Sequence, residues 1–547
     1  MKFQFSRQNL TRGQAFLERF FGFLPGLVSW TILVGMCTVS ILDPILSVVL
    51  VIAIDFYWLL RLFYMTLFLV LSYFRLSILS ATDWMVWIHE VDQLVLGREP
   101  GSYSMNPKGF KEKLALWLHH QKLKFLRESS SLPPPSDEIY HLVIFSVAKE
   151  PREVIEPGIE GLAEQIFPPK RILVVIALEE WAEQSVKDGV HSLKQKYVGQ
   201  FLDFFVVIHP DGLPGEARVK GANVTFAAKT AAGYFEGKGI SYERVIVSCF
   251  DADTVVSPEY FACLTYHFMV YPKRNQASFQ PIPVYHNNIW EAPAFSRVLD
   301  VGSSFFQLIE ATNSDKLVTF SSHSMSFKAL VDVDFWPRDL ISDDSAIFWK
   351  ALIHYEGDYR VIPIYVTLSM DVVSGPSWWK TIGNVYYQKR RWAWGVENFP
   401  IVMRGFLSSG KIPFFRKLRY GFKLFEEHVA WATWAFLLTF VGWLPLLFAG
   451  RDFSTSVLYY SSPRITGTIF NLAFPALITT IVLSLCLLPK KKIPNPLLKR
   501  IGFALEWLLV PFIVVFLSAL PALDAQTRLM FGKYMEFWVT EKRRSSG

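Results

Sequence analysis

Three short clusters in this chain have the residue types and spacing to do chemistry. The triplet Asp251-Ala252-Asp253 directly follows the apolar run Val245–Phe250, whose length and β-branched content suit a buried parallel strand. Two carboxylates two residues apart at a strand exit suit a hard divalent cation that can also hold phosphates. In open α/β sheets, ligands gather at the carboxyl ends of strands. The second cluster, Ser342-Asp343-Asp344, opens a helical stretch from Ser345. Ser and Asp favour helix starts for capping and dipole reasons, and a carboxylate there can also take a proton from an attacking hydroxyl. The third is Gln388-Lys389-Arg390-Arg391-Trp392. Its Arg forks suit phosphate oxygens and its indole suits a sugar face. The same residues would also serve as an interfacial membrane anchor.

The elements that must position these clusters divide by composition. The chain has 547 residues, 51% hydrophobic, 16% aromatic and 19% charged, with mean hydropathy +0.27. That is too apolar for a water-soluble protein of this size, and the excess is clustered, so membrane spans flanking a soluble core are expected. The net charge of +7 fits Lys and Arg beside spans at an anionic leaflet better than nucleic-acid binding. Cys37, Cys249, Cys263 and Cys486 lack metal or disulfide spacing and read as buried thiols in a reducing compartment.

Spans are expected at residues 20–42, 45–71, 429–449, 465–488 and 503–520, each long enough to cross a bilayer. The first two form a hairpin with its tip at Asp43-Pro44. The basic amino terminus and the basic loop Lys490-Lys491-Lys492 then face the cytoplasm, as does the soluble core. The last span conflicts with a cytoplasmic tail at Lys542-Arg543-Arg544 unless Pro511 and Pro521 make it broken or re-entrant. Residues 75–130 read as amphipathic helices on the membrane or the next domain, and residues 129–136 as a Ser/Pro linker. The resulting division is 1–80, 81–136, 137–400 and 401–547.

Within 137–400, strands are expected at Leu142–Val147, Ile172–Leu178, Phe204–Ile208 and Val245–Phe250, separated by crossover helices. This is an α/β pattern with a mostly parallel, doubly wound sheet. A less regular half follows, with a strand at Ser278–Tyr285, a helix near Ala292–Thr312, a turn at Ser321–Ser326 and a strand at Arg360–Val366.

The order D-x-D, acidic helix start, then Q-x-x-R-W before carboxy-terminal spans resembles the membrane-embedded family-2 glycosyltransferases, which include cellulose, chitin and hyaluronan synthases. The resemblance implies a GT-A fold, a nucleotide-sugar donor, Mg²⁺ or Mn²⁺, inversion at the anomeric carbon, and a glycan or lipid acceptor at a cytoplasmic site in an integral membrane protein. Carried over, Asp251 and Asp253 hold the metal and diphosphate, and Asp344 is the catalytic base. Gln388, Arg391 and Trp392 brace diphosphate and acceptor. Lys220 and Asn223, in Lys220-Gly221-Ala222-Asn223, contact the nucleotide. Glu179 stands where an Asp usually reads base and ribose, and Gln280 lies on the acceptor side. Asp343 replaces the family's Glu beside the base, and Lys389 its more usual Arg. His323, in the acceptor-loop region, is expected to be structural. Single-sugar transfer to a lipid carrier and a non-catalytic scaffold are the alternatives to chain synthesis.

Overall fold

The computed structural model describes residues 3–80, 82–98, 109–129, 132–448, 450–489, 496–536 and 538. The basic loop at 490–492 and the tail at 542–544 lie outside them.

Eight strands form one sheet: β1 (Tyr140–Val147), β2 (Ile172–Glu179), β3 (Asp203–His209), β4 (Val245–Asp251), β5 (Val255–Val256), β6 (Ala277–Val284), β7 (Ser324–Ser326) and β8 (Arg360–Ser369). Their order is β3-β2-β1-β4-β7-β6-β8-β5. The first four are parallel neighbours, β7 runs antiparallel to both β4 and β6, and β6 pairs with β8 in parallel. The doubly wound first half is therefore as expected. The second half belongs to the same sheet and does not form a separate layer.

Alternation along the strands explains the two faces. On β1, Val143, Phe145 and Val147 pack with Ile155 and Ile159 of helix Arg152–Ala163 and with Val186 and Val190 of helix Gln184–Tyr197. Leu142 and Ile144 point the other way, into a second core with Val224, Ala227 and Ala231 of helix Lys220–Gly237. Covering both faces with helices buries every residue of β2, which is why these strands read as continuous apolar runs.

Where a turn is expected, Ser324–Ser326 instead forms β7. Its Ser324 hydroxyl meets that of Ser248 at 2.7 Å and Tyr260 OH at 3.2 Å. Serine has little strand propensity, so pairing on both sides decides the conformation. Helix Tyr260–Val270 was not anticipated either: all its residues are buried, so it carries no amphipathic period.

Among the described residues, four helices are long and apolar enough to span a membrane: Arg12–Leu42, Pro44–Leu79, Val457–Leu487 and Leu497–Met530. A bent pair, Phe414–Thr439 with Val441–Leu447 at 41°, makes a fifth candidate where 429–449 was expected. At the hairpin tip the Asp43 carboxylate accepts from Leu46 N at 3.0 Å with Pro44 in the first turn, a capped helix start that proline tolerates. The last span runs as one helix with a π-helical stretch at Val515–Ala519 between its two prolines, so it bends its ladder without leaving the helix.

Candidate active site

β4 delivers Asp251 to the carboxyl edge of the sheet, beside the amino-terminal ends of two helices. One begins at Lys220 and the other, Asp343–His354, carries Asp344 in its first turn. Gly221 allows this approach, because a Cβ there would collide with the carbonyl of Pro337 and press on Asp343. Lys220 Nζ donates to Asp251 Oδ1 at 2.7 Å and to Asp344 Oδ1 at 3.0 Å. Burial works against the Lys220 ammonium, but Asp251 and Asp344 more than offset it and raise its pKa well above the usual value. It is thus a buried, charged bridge and not a solvated helix-start lysine. The Asp251 and Asp344 side chains remain 24% and 26% exposed, so each carboxylate keeps access to solvent.

The second Asp of the triplet is placed differently. Asp253 is 1% exposed, and its Oδ2 accepts from Asp371 N at 2.9 Å. Among the described residues, no group of three His, Cys, Asp or Glu side chains converges as a metal-binding set. The donors still fit a cation that arrives with its substrate, since Mg²⁺ is commonly held by one or two carboxylates with phosphate and water completing its shell. Asp251 is the accessible carboxylate for that purpose, with Ser321 Oγ donating to its Oδ2 at 2.6 Å.

Asp343, adjacent to Asp344, is buried, and its Oδ2 has no hydrogen-bond partner among the described residues. Burial, then the Asp344 charge, push its carboxyl well above the ordinary range, while Lys220 and Arg391 pull the other way. The Arg391 charge therefore acts at this site. Trp392, one residue on, meets Phe320 edge to face at 5.7 Å. Phe320 is held by its amide, which donates to Gln280 Oε1 at 2.7 Å. Gln280 therefore sets the aromatic wall from behind. Gln388 lies buried on the same helix, Trp378–Ala393. Lys389 Nζ donates to Asp300 Oδ1 at 3.2 Å and sits 3.8 Å over the Trp392 ring.

Of the remaining expected residues, Asn223 and Glu179 are buried and bonded to groups outside the Asp251–Lys220–Asp344 cluster. Asn223 Nδ2 donates to Ala177 O at 2.9 Å, tying its helix to β2. Glu179, at the end of β2, accepts from His209 Nδ1 at 3.0 Å, and His209 Nε2 donates to Glu216 at 2.9 Å. The bond to Glu179 is the first cause that raises the His209 pKa, against partial burial. His209 and Glu216 were missed by sequence reasoning. A histidine ending a β-branched strand was the available signal. His323, expected to be structural, donates from Nδ1 to Phe320 O at 3.1 Å, and that nitrogen is also 3.9 Å from Asp344 Oδ1; burial lowers its pKa to about 4.

Glu397 was also missed. It is buried behind the Asp343–His354 helix start and accepts from Ile341 N, Ser342 N and Ser342 Oγ. Nothing in local sequence marks it, because its partners are 55 and 56 residues away.

The sequence profile of glycosyl transferase family group 2 matches residues 246–489. Poly-beta-1,6-N-acetyl-D-glucosamine synthase of Staphylococcus epidermidis is 23% identical over 326 residues, covering 57% of this chain and 68% of that protein. The synthase of the same name from Staphylococcus aureus (strain COL) is 29% identical over 179 residues, covering 32% of this chain and 39% of that one. A solved mannosyltransferase from Pyrobaculum calidifontis aligns with a TM-score of 0.41 and 15% identity over 77% of this chain and 95% of that one, too loosely to carry argument.

Proposed function

We propose that the chain is a family-2 glycosyltransferase that extends a polysaccharide by inverting transfer from a nucleotide-sugar donor. The main support is that Lys220 is hydrogen-bonded to both Asp251 and Asp344, the latter 124 residues from Lys220 in sequence. A donor diphosphate entering beside Asp251 competes for the Lys220 ammonium and leaves Asp344 free. The acceptor hydroxyl then attacks the anomeric carbon as its proton passes to Asp344. The bond from that carbon to the phosphate oxygen breaks, and the nucleoside diphosphate leaves. Arg391, whose charge reaches Asp343, would supply positive charge that favours that leaving group. A divalent cation, Mg²⁺ or Mn²⁺, held by Asp251 with Asp253 behind it, would offset developing phosphate charge. Gln388 and Trp392 brace the acceptor, Glu179 and Asn223 border the nucleotide, and Asp343 supports the base.

The name of the staphylococcal relatives supports an N-acetylhexosamine donor. The apolar helices support an integral membrane protein, with the division at 80, 136 and 400 and a catalytic domain on the cytoplasmic side. The test is nucleotide release by the detergent-purified full chain with a panel of sugar nucleotides, beginning with UDP-N-acetylglucosamine. Each is run with Mg²⁺, with Mn²⁺ and after chelation, and the radiolabelled product is sized. Release with one donor, lost on chelation, together with a product of many sugars supports the reading. No release with any donor, or a single sugar on lipid, overturns it.

A further inference from the structure

We propose that Glu397 is a positioning residue for Asp344. The inference rests on Asp344 being the base and goes beyond it by naming what aims that carboxylate. Glu397 ends the short turn Trp394–Glu397 that follows helix Trp378–Ala393, and it is 1% exposed. Its Oε1 accepts from Ile341 N and Ser342 N, both at 2.9 Å, and from Ser342 Oγ at 2.8 Å. Its Oε2 accepts from Trp394 Nε1 at 2.9 Å. Asn398 Nδ2 adds bonds to Ser342 Oγ and Ser345 Oγ, each at 3.0 Å.

The consequence lies in Ser342. It occupies the cap position of the Asp344 helix but makes no side-chain cap bond to that helix. Its hydroxyl hydrogen goes to Glu397 instead. The entry angle of the first turn, and so the direction of Asp344 two residues on, is set from outside by the segment that follows Trp392. Glu397 thus links the helix carrying Arg391 and Trp392 rigidly to the helix carrying the base.

All four partners of the carboxylate are donors. A carboxylate has acceptor sites for all of them, whereas an amide offers one oxygen and an NH₂ group. In Glu397→Gln, the NH₂ must face either the turn amides or the Trp394 N–H. Removing that N–H with Trp394→Phe lets the glutamine oxygen keep the turn.

The experiment compares Glu397→Gln, Trp394→Phe and the double variant in the full-length enzyme, with Asp344→Asn alongside. Melting and nucleotide binding report folding. We expect Glu397→Gln to lose about 10- to 100-fold in kcat, the scale of an ångström of misplacement, with donor KM within about twofold. Trp394→Phe alone stays near wild type, and the double variant recovers most of the lost kcat. A folded Glu397→Gln with unchanged kcat, a folded one not rescued by Trp394→Phe, or one in which KM rises in step with the loss overturns the inference. Should Glu397→Gln fail to accumulate, Ser342→Ala deletes one donor with no new clash. It should lower kcat alone by about fivefold, within the same positional scale, and unchanged kcat there overturns the inference too. If Asp344→Asn remains active, the base assignment itself falls. If it is inactive and Glu397→Gln turns over normally, only the positioning role falls.

Discussion

The Lys220 ammonium donates to Asp344 Oδ1 at 3.0 Å while its bond to Asp251, at 2.7 Å, is the shorter one. The carboxylate proposed to accept a proton therefore begins with an oxygen already engaged. Only a ligand that draws the ammonium away, as a diphosphate would, makes that oxygen available. On the proposed reading, the arrangement would couple donor arrival to readiness of the base.

Replacing Lys220 by Met keeps the stem and removes the charge. Charge-assisted hydrogen bonds contribute roughly 1.5–3 kcal/mol, so donor affinity should fall about 10- to 150-fold. Calorimetric titration of the nucleotide diphosphate measures this. An unchanged affinity would show that Lys220 never leaves its two carboxylates.

Asp344→Asn should reduce transfer by about 10²- to 10⁴-fold, the usual contribution of a positioned proton acceptor. Nucleotide should still bind, because Lys220 keeps Asp251. Radiolabel transfer and equilibrium binding on the same preparation separate the two effects. A loss smaller than about tenfold would remove Asp344 from the base role.

His209 should give the fold a pH signature. Its pKa is raised, first by the bond to Glu179 and then also by Glu216. The folded state therefore holds this proton more tightly than the unfolded chain. The stabilisation is complete below the ordinary histidine pKa of about 6.5 and fades as pH climbs through the raised folded value. Melting temperature measured in steps from acidic to alkaline pH should drop across that window in wild type and vary less in His209→Gln. Parallel curves would contradict the assignment.

Lys389 and Asp300 form an ion pair with side chains only 4% and 3% exposed. Lys389→Met strands a buried carboxylate and should cost about 3–5 kcal/mol, read as an early melting transition in detergent. Adding Asp300→Leu removes the stranded charge and should recover much of the loss. A double variant no better than the single one would mean that the charge is not what destabilises it.

Local pattern alone determined a good deal. The β-branched run Val245–Phe250 ending in Asp251, the hairpin at Asp43-Pro44, and the apolar lengths of the spans are contiguous features, each written by neighbours within one element. The helix opened by Ser342-Asp343-Asp344 belongs with them. Only tertiary structure decided that Ser324–Ser326 is a central strand, that Asp253 turns inward to Asp371 N, and that Glu179 is shared with His209. It also decided that Lys220 bridges two acids and that Glu397 grips the start of the Asp344 helix. In each case the energy comes from polar groups that burial forces to find partners, and those partners lie 30 to 124 residues away. No window along the chain contains both members of such a pair.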